Sequence, residues 1–135
     1  MDTWIEISKQ INTILEKNKS KFGLKTVKRG DLVGLRPLLA WNMHPELDST
    51  YDESNYAASY KGRAEFAFVD SGSIDMMPID KIMSKYLPLV YNELYNTDLF
   101  TSYDIGNFIF TDKDDKDISR DNNVVLLICN FEYRV

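Results

Sequence analysis

The run Val124-Val125-Leu126-Leu127-Ile128-Cys129-Asn130-Phe131-Glu132-Tyr133-Arg134-Val135 decides the fold. It opens as an unbroken apolar block and then alternates strictly. Val125, Leu127, Cys129, Phe131 and Tyr133 fall on one face, and Asn130, Glu132 and Arg134 on the other. Such a pattern, rich in β-branched and aromatic residues, predicts a strand buried on both faces at its start and on one at its end. Left bare, a strand this apolar would be an aggregation site, so it is expected inside a sheet and not at a free edge.

Immediately upstream, Asp112-Lys113-Asp114-Asp115-Lys116-Asp117 reads as a solvated loop. Before it, Tyr103 to Thr111 reads as a strand with Phe108 and Phe110 on one face, Ile105 and Ile109 on the other, and Gly106 at a candidate bulge. The two strands form an acid-tipped hairpin. A helix precedes them: Pro78 suits a first turn, and Ile79, Ile82, Met83, Tyr86, Leu87, Val90 and Leu94 follow helical spacing to about Tyr95. Pro88 removes a backbone donor and crowds the preceding turn, so a kink or split is expected at Tyr86-Leu87.

Further back, Arg63 to Asp70 alternates Ala64, Phe66 and Phe68 with Arg63, Glu65 and Ala67. Leu35 to Met43 reads as a strand entered through Pro37 and closed by His44-Pro45. Residues 46–62 between them are polar and turn-rich, a long connection of the functional or mobile kind. Lys17 to Arg29 holds six basic residues and no acid, with Gly23 and Gly30-Asp31 marking a loop or short hairpin. At the front, Thr3-Trp4-Ile5-Glu6 is a capping box, and Trp4, Ile7, Ile11, Ile14 and Leu15 form one apolar stripe on a helix ending near Asn18 to Ser20. The sum is one α+β domain over 1–135: an antiparallel sheet of about four strands packed by two main helices.

Composition sets bounds. At 135 residues, 44% hydrophobic and 27% charged, the chain fits one ordinary globular domain. No apolar run approaches the roughly 20 residues of a membrane helix, so no membrane role is expected. Met1-Asp2-Thr3-Trp4-Ile5-Glu6 carries acids where a signal peptide carries bases, and a single cysteine forms no internal disulfide. A reducing cytoplasm is the expected compartment, with Cys129 a buried, inert thiol. The net charge of -5 argues against sequence-specific nucleic-acid binding, although the basic stretch 17–29 is a patch that phosphate could meet.

No constellation announces catalysis, a cofactor or a metal. Neither register of an EF-hand template fits 112–121: one puts Lys116 at the fifth position, the other Arg120 at the turn glycine and Leu126 at the bidentate acid. With one histidine and one cysteine the chain scarcely has zinc ligands. His44 reads as a loop histidine before proline. None of the six glycines forms a phosphate or dinucleotide loop. What remains is surface. Base concentrated before residue 30 and acid in 46–53 and 112–121 suit a head-to-tail interface that closes into a ring, and suit equally an uneven solvated surface. Tyr51, Tyr56 and Tyr60 offer contact area or lie back on the domain. The candidate interface residues are therefore Lys25, Lys28, Arg29, Tyr51, Asp52, Tyr56 and Tyr60.

In its order of elements the chain resembles the tail terminator, or tail completion, proteins of long-tailed bacteriophages. The matching parts are helix 3–18, the loop 44–62 before Arg63–Asp70, helix 78–95, the acid-tipped hairpin 104–134, and the ending Asn130-Phe131-Glu132-Tyr133. Pro88 and the basic stretch are features the resemblance does not explain. It implies a structural, non-enzymatic protein of the virion neck, assembled in the host bacterial cytoplasm. Its subunits would form a ring, typically a hexamer, that stops tail-tube polymerisation and offers a surface to head-completion proteins. Its partners would be itself, the tail tube protein and the head-completion or connector protein. Two other classes follow in order: a small acidic inhibitor or immunity-type binding module, and an enzyme using a carboxylate pair between helix and sheet.

Overall fold

A computed structural model describes residues 3–46, 59–71, 76–106 and 124–134. Helix α1 (Thr3–Phe22) presents Ile7, Ile11, Leu15 and Phe22 as one buried stripe. It ends two residues later than the sequence suggests, in a Schellman turn. Gly23 takes φ 76°, its N–H donates to the Ser20 carbonyl, and the Leu24 N–H donates to that of Lys19. The side chain of Thr3, which the capping box needs, lies outside the description. Lys19 and Lys21 sit in the last turn, where cations favour the exposed carbonyls.

Among the described residues five strands form one sheet in the order β1-β2-β3-β5-β4: β1 (Thr26–Arg29), β2 (Leu38–Glu46), β3 (Ser59–Val69), β4 (Ser102–Gly106) and β5 (Val125–Arg134). The α+β class holds, with five strands in place of about four. The expectation of antiparallel pairing needs one correction. Residues 26–29 form no hairpin; they are an edge strand parallel to β2, with Thr26 beside Leu38. The short return between them passes close over the sheet. At Gly34, φ 156°, an added Cβ would stand 2.9 Å from both Leu38 Cδ1 and Thr26 Cγ2, so a side chain there collides.

Strand β2 also runs on through His44-Pro45 to Glu46, beyond the expected stop. The Trp41 carbonyl accepts from Gly30, so odd positions of β2 aim their backbone groups toward β1. Strand β1 ends beside Trp41, so the N–H that Pro45 lacks would have faced an open edge and no ladder bond is lost. Strand β5 lies between β3 and β4, inside the sheet as its composition demands. Of the expected strand 103–111, the part through Gly106 is observed; Phe108, Ile109 and Phe110 lie outside the described residues.

The second helical segment is continuous but irregular: α2 (Pro78–Lys81), a π-helical stretch (Ile82–Tyr86) and α3 (Leu87–Tyr95). The Leu87 N–H reaches back to the Ile82 carbonyl, a five-residue step. The disturbance expected from Pro88 is thus absorbed as a widened turn ahead of it, and not as a split. Both helical segments cover the same face of the sheet. Ile7, Ile11 and Leu15 with Ile82, Val90 and Leu94 pack on Leu39, Trp41, Phe66, Phe68, Leu127 and Phe131. An aromatic chain crosses that core. Trp41 stacks on Phe66 at 6.3 Å, Phe66 meets Phe100 edge-on at 6.5 Å, and Phe100 meets Phe131 at 6.2 Å. Lys21 of α1 is paired with Glu93 of α3 across the top of this layer.

Asp70 ties the end of β3 to the second helix. It is buried, accepts from the Ser71 N–H at 2.7 Å and lies 3.4 Å from the Lys81 ammonium. Burial, and after it the neighbouring Asp70 charge, raises the Tyr86 hydroxyl above the usual tyrosine range.

Candidate functional site

Strand register sets the outer face of the sheet, away from the helices, in rows. Leu38 stands beside Val69, and Ala40, Ala67 and Leu126 form the next row. Then come Asn42, Glu65, Ile128 and Asp104; His44, Arg63, Asn130 and Ser102; and finally Glu46, Lys61 and Glu132. The first two rows are buried and apolar, with Leu32 packed on them. Apart from Ile128, which packs on the apolar rows, the other three are polar and half-buried or exposed. One face therefore passes from core to charged surface along the strand direction.

Its charges are mutually engaged. The Arg63 Nε lies 2.9 Å from Glu65 and its Nη1 3.8 Å from Glu46, while His44 Nε2 lies 3.2 Å from the other Glu65 oxygen. Beside this network runs a groove of about 350 Å³ lined by Glu46, Lys61, Thr101, Ser102, Asn130 and Glu132. The hydroxyl of Thr101 donates to the Asn130 carbonyl at 3.2 Å, and the Asn130 amide donates to Ser102 Oγ at 2.9 Å. His44 is thus a strand residue paired to a carboxylate, with no serine, threonine or cysteine bonded to it among the described residues. Such a surface can grip a polar partner; it lacks the nucleophile-and-base geometry of acyl transfer. Among the described residues no group of three or more His, Cys, Asp or Glu side chains converges to hold a metal ion, and no helix is long and apolar enough to cross a membrane.

The basic candidates do come together, on the β1 edge. Lys28 is paired with Asp31 and donates to the Val33 carbonyl at 3.0 Å. The Lys28 ammonium, with the Val33 N–H, holds the Asp31 carboxyl below the usual carboxylate range. Arg29 donates to Ser8 Oγ at 2.8 Å and lies 5.0 Å over the Trp41 ring. Lys25 is exposed, and its N–H donates to the Pro37 carbonyl at 2.9 Å. Of the loop candidates, Tyr51, Asp52 and Tyr56 lie outside the described residues. Tyr60 stands in β3 opposite Tyr133, its side chain likewise outside the description. Of the acid-rich segments 46–53 and 112–121, only Glu46 is described.

A feature that sequence reasoning missed lies at the other edge. Tyr91 and Tyr95, one turn apart on α3, close on Tyr103 of β4 with ring centroids 5.0 Å and 6.0 Å from it. The Tyr103 hydroxyl is buried with no hydrogen-bond partner among the described residues, and burial, with Cys129 behind it, pushes its pKa up to about 12. Tyr95 and the neighbouring Ile105 are more than half exposed, at 57% and 54%. The i, i+4 tyrosine spacing on a helix was the available signal. Cys129 itself is fully buried, and burial pushes its thiol well up.

Compared with protein-family models and with curated proteins, the chain matches none.

Proposed function

We propose that this protein is a structural subunit of a bacteriophage tail, a tail terminator that assembles into a ring at the head-proximal end of the tail tube. There it stops tube polymerisation and joins the tail to head-completion proteins. The single observation that carries the reading is that the sheet of the described residues ends in two unlike edges, a basic one at β1 and an acidic, tyrosine-bearing one at β4. A subunit with a giving side and a receiving side at opposite ends is what a closed head-to-tail ring needs. The element order supports the resemblance: a leading amphipathic helix, a second helix, and a last strand held inside the sheet. The role requires no catalysis.

Solution mass by light scattering behind a sizing column, over a range of concentration and salt, tests it. The expected result is a discrete ring that forms from monomer as concentration rises. A strict monomer under all conditions overturns the self-assembling ring. One observation favours a second reading: the polar rows of the outer face carry Glu46, Glu65, Glu132 and Asp104 against Lys61 and Arg63. An acidic inhibitor-type module using that face would stay monomeric and bind a basic partner one to one, with strong salt sensitivity.

A further inference from the structure

We propose that β1 of one copy pairs with β4 of the next in a single antiparallel register that sets Lys28 opposite Asp104. The inference rests on the ring reading above and specifies its interface. Strand directions come first. β1 runs with β2, and each following step across the sheet, β2 to β3, β3 to β5 and β5 to β4, reverses direction. The two edge strands of one copy are therefore antiparallel. Copies related by rotation about an axis along the strands bring β1 against β4 in that same sense.

Backbone parity agrees. Thr26 and Gly30 donate into β2, so Val27 and Arg29 aim their N–H and C=O groups outward. Odd positions of β2 face β1, so even positions face β3. Carrying this alternation through the unbroken registers of β3 and β5 leaves Tyr103 and Ile105 as the outward-facing residues of β4. Setting Lys28 opposite Asp104 places Val27 opposite Ile105 and Arg29 opposite Tyr103. These are the outward-facing residues of both strands, so each opposed pair can exchange both of its backbone hydrogen bonds.

Side chains agree as well. Val27, Arg29, Tyr103 and Ile105 lie on the helix-covered face, and Lys28 and Asp104 on the outer face. The register thus lays Val27 on the exposed Ile105, brings the Arg29 guanidinium to the tyrosine cluster, and pairs ammonium with carboxylate on the outside. Residues 17–29 contain no acid, and residues 96–106 contain Asp98 and Asp104 and no base, so the two strands and the chain leading into them carry unlike charge; Asp31, paired with Lys28 within one copy, is the acid that Asp104 of the next would replace.

Lys28→Glu and Asp104→Lys, each made in the full chain, test it by light scattering. Either variant alone should raise the concentration needed for assembly by about tenfold or more, because like charges then face each other. An equimolar mixture of the two should assemble, since every junction in an alternating ring again opposes unlike charges. Far-ultraviolet circular dichroism checks that each variant stays folded. Assembly unchanged in both single variants, or lost and not restored on mixing, overturns this interface while leaving the ring intact. A wild-type chain that never associates overturns the ring reading and the interface with it.

Discussion

The ring of Phe131 lies over Gly62, its cross-strand partner. A Cβ added at Gly62 would stand 2.4 Å from Phe131 Cζ. The glycine is there to make room for the ring, and its missing side chain is replaced by an aromatic from the neighbouring strand.

Gly62→Ala should therefore destabilise the fold by about 1–3 kcal/mol through overpacking, and Phe131→Ala by about 3–5 kcal/mol through the cavity left behind. With Phe131 truncated, the alanine at 62 has space, so the double variant should cost clearly less than the sum. Urea unfolding of the four proteins checks this. Strict additivity would show that the ring does not sit where the glycine requires it.

Asp70 and Lys81 form the second test. Asp70→Ala leaves the Ser71 N–H and the partly buried ammonium without their acceptor, and should cost about 1–3 kcal/mol. Asp70→Asn keeps an acceptor for Ser71 and should cost less. Equal losses in thermal unfolding would mean that the charge, and not the bond to Ser71, sets the whole effect.

The third concerns alkaline pH. Tyr103 has a folded pKa of about 12 against an ordinary value of 10.0. Between those values the unfolded chain has released a proton that the native state retains. Stability contributed by the neutral hydroxyl is complete below pH 10 and is lost as pH rises toward 12. Tyr103→Phe should flatten this alkaline loss. At neutral pH it should be neutral or stabilising, because it removes a buried hydroxyl with no partner among the described residues. Unfolding curves across the alkaline range, with tyrosinate absorbance in parallel, give the answer. A variant that keeps the wild-type pH slope would assign the loss to other groups, Tyr86 first.

Arg29 supplies the fourth. Removing it takes away the cation over Trp41 and the bond to Ser8, so Arg29→Ala should cost about 0.5–1 kcal/mol and alter tryptophan emission. An unchanged emission spectrum would place the guanidinium away from the ring.

These relationships differ in how far the sequence disclosed them. Both faces of β5 were readable because alternation is local: Val125, Leu127, Cys129 and Phe131 are all buried in the helix-covered core. The stripe of α1 was readable for the same reason. Its true end was signalled by Phe22 and Gly23, but the lysines around them suggested a loop. Strand β1 was hidden because four residues bearing Lys28 and Arg29 show no apolar run; what makes them a strand is the edge of β2. Likewise the continuation of β2 through Pro45 depends on where β1 stops, a fact of tertiary arrangement. The charge of Lys28 and Arg29 was visible, but not that Asp31, Ser8 and Trp41 already engage it. The tyrosine cluster joins a helix and a strand, and no window of sequence contains both.

Cys129 gives the molecule a clock. It is the only thiol in the chain, and it sits in β5 between Ala64 of β3 and Tyr103 of β4 with no exposed surface. No alkylating reagent can touch it until the helix layer lifts from the sheet or the strands around it part. The rate at which it is labelled under native conditions thus times the opening of the core around it, one event per molecule, with no probe introduced and no second cysteine to confuse the count.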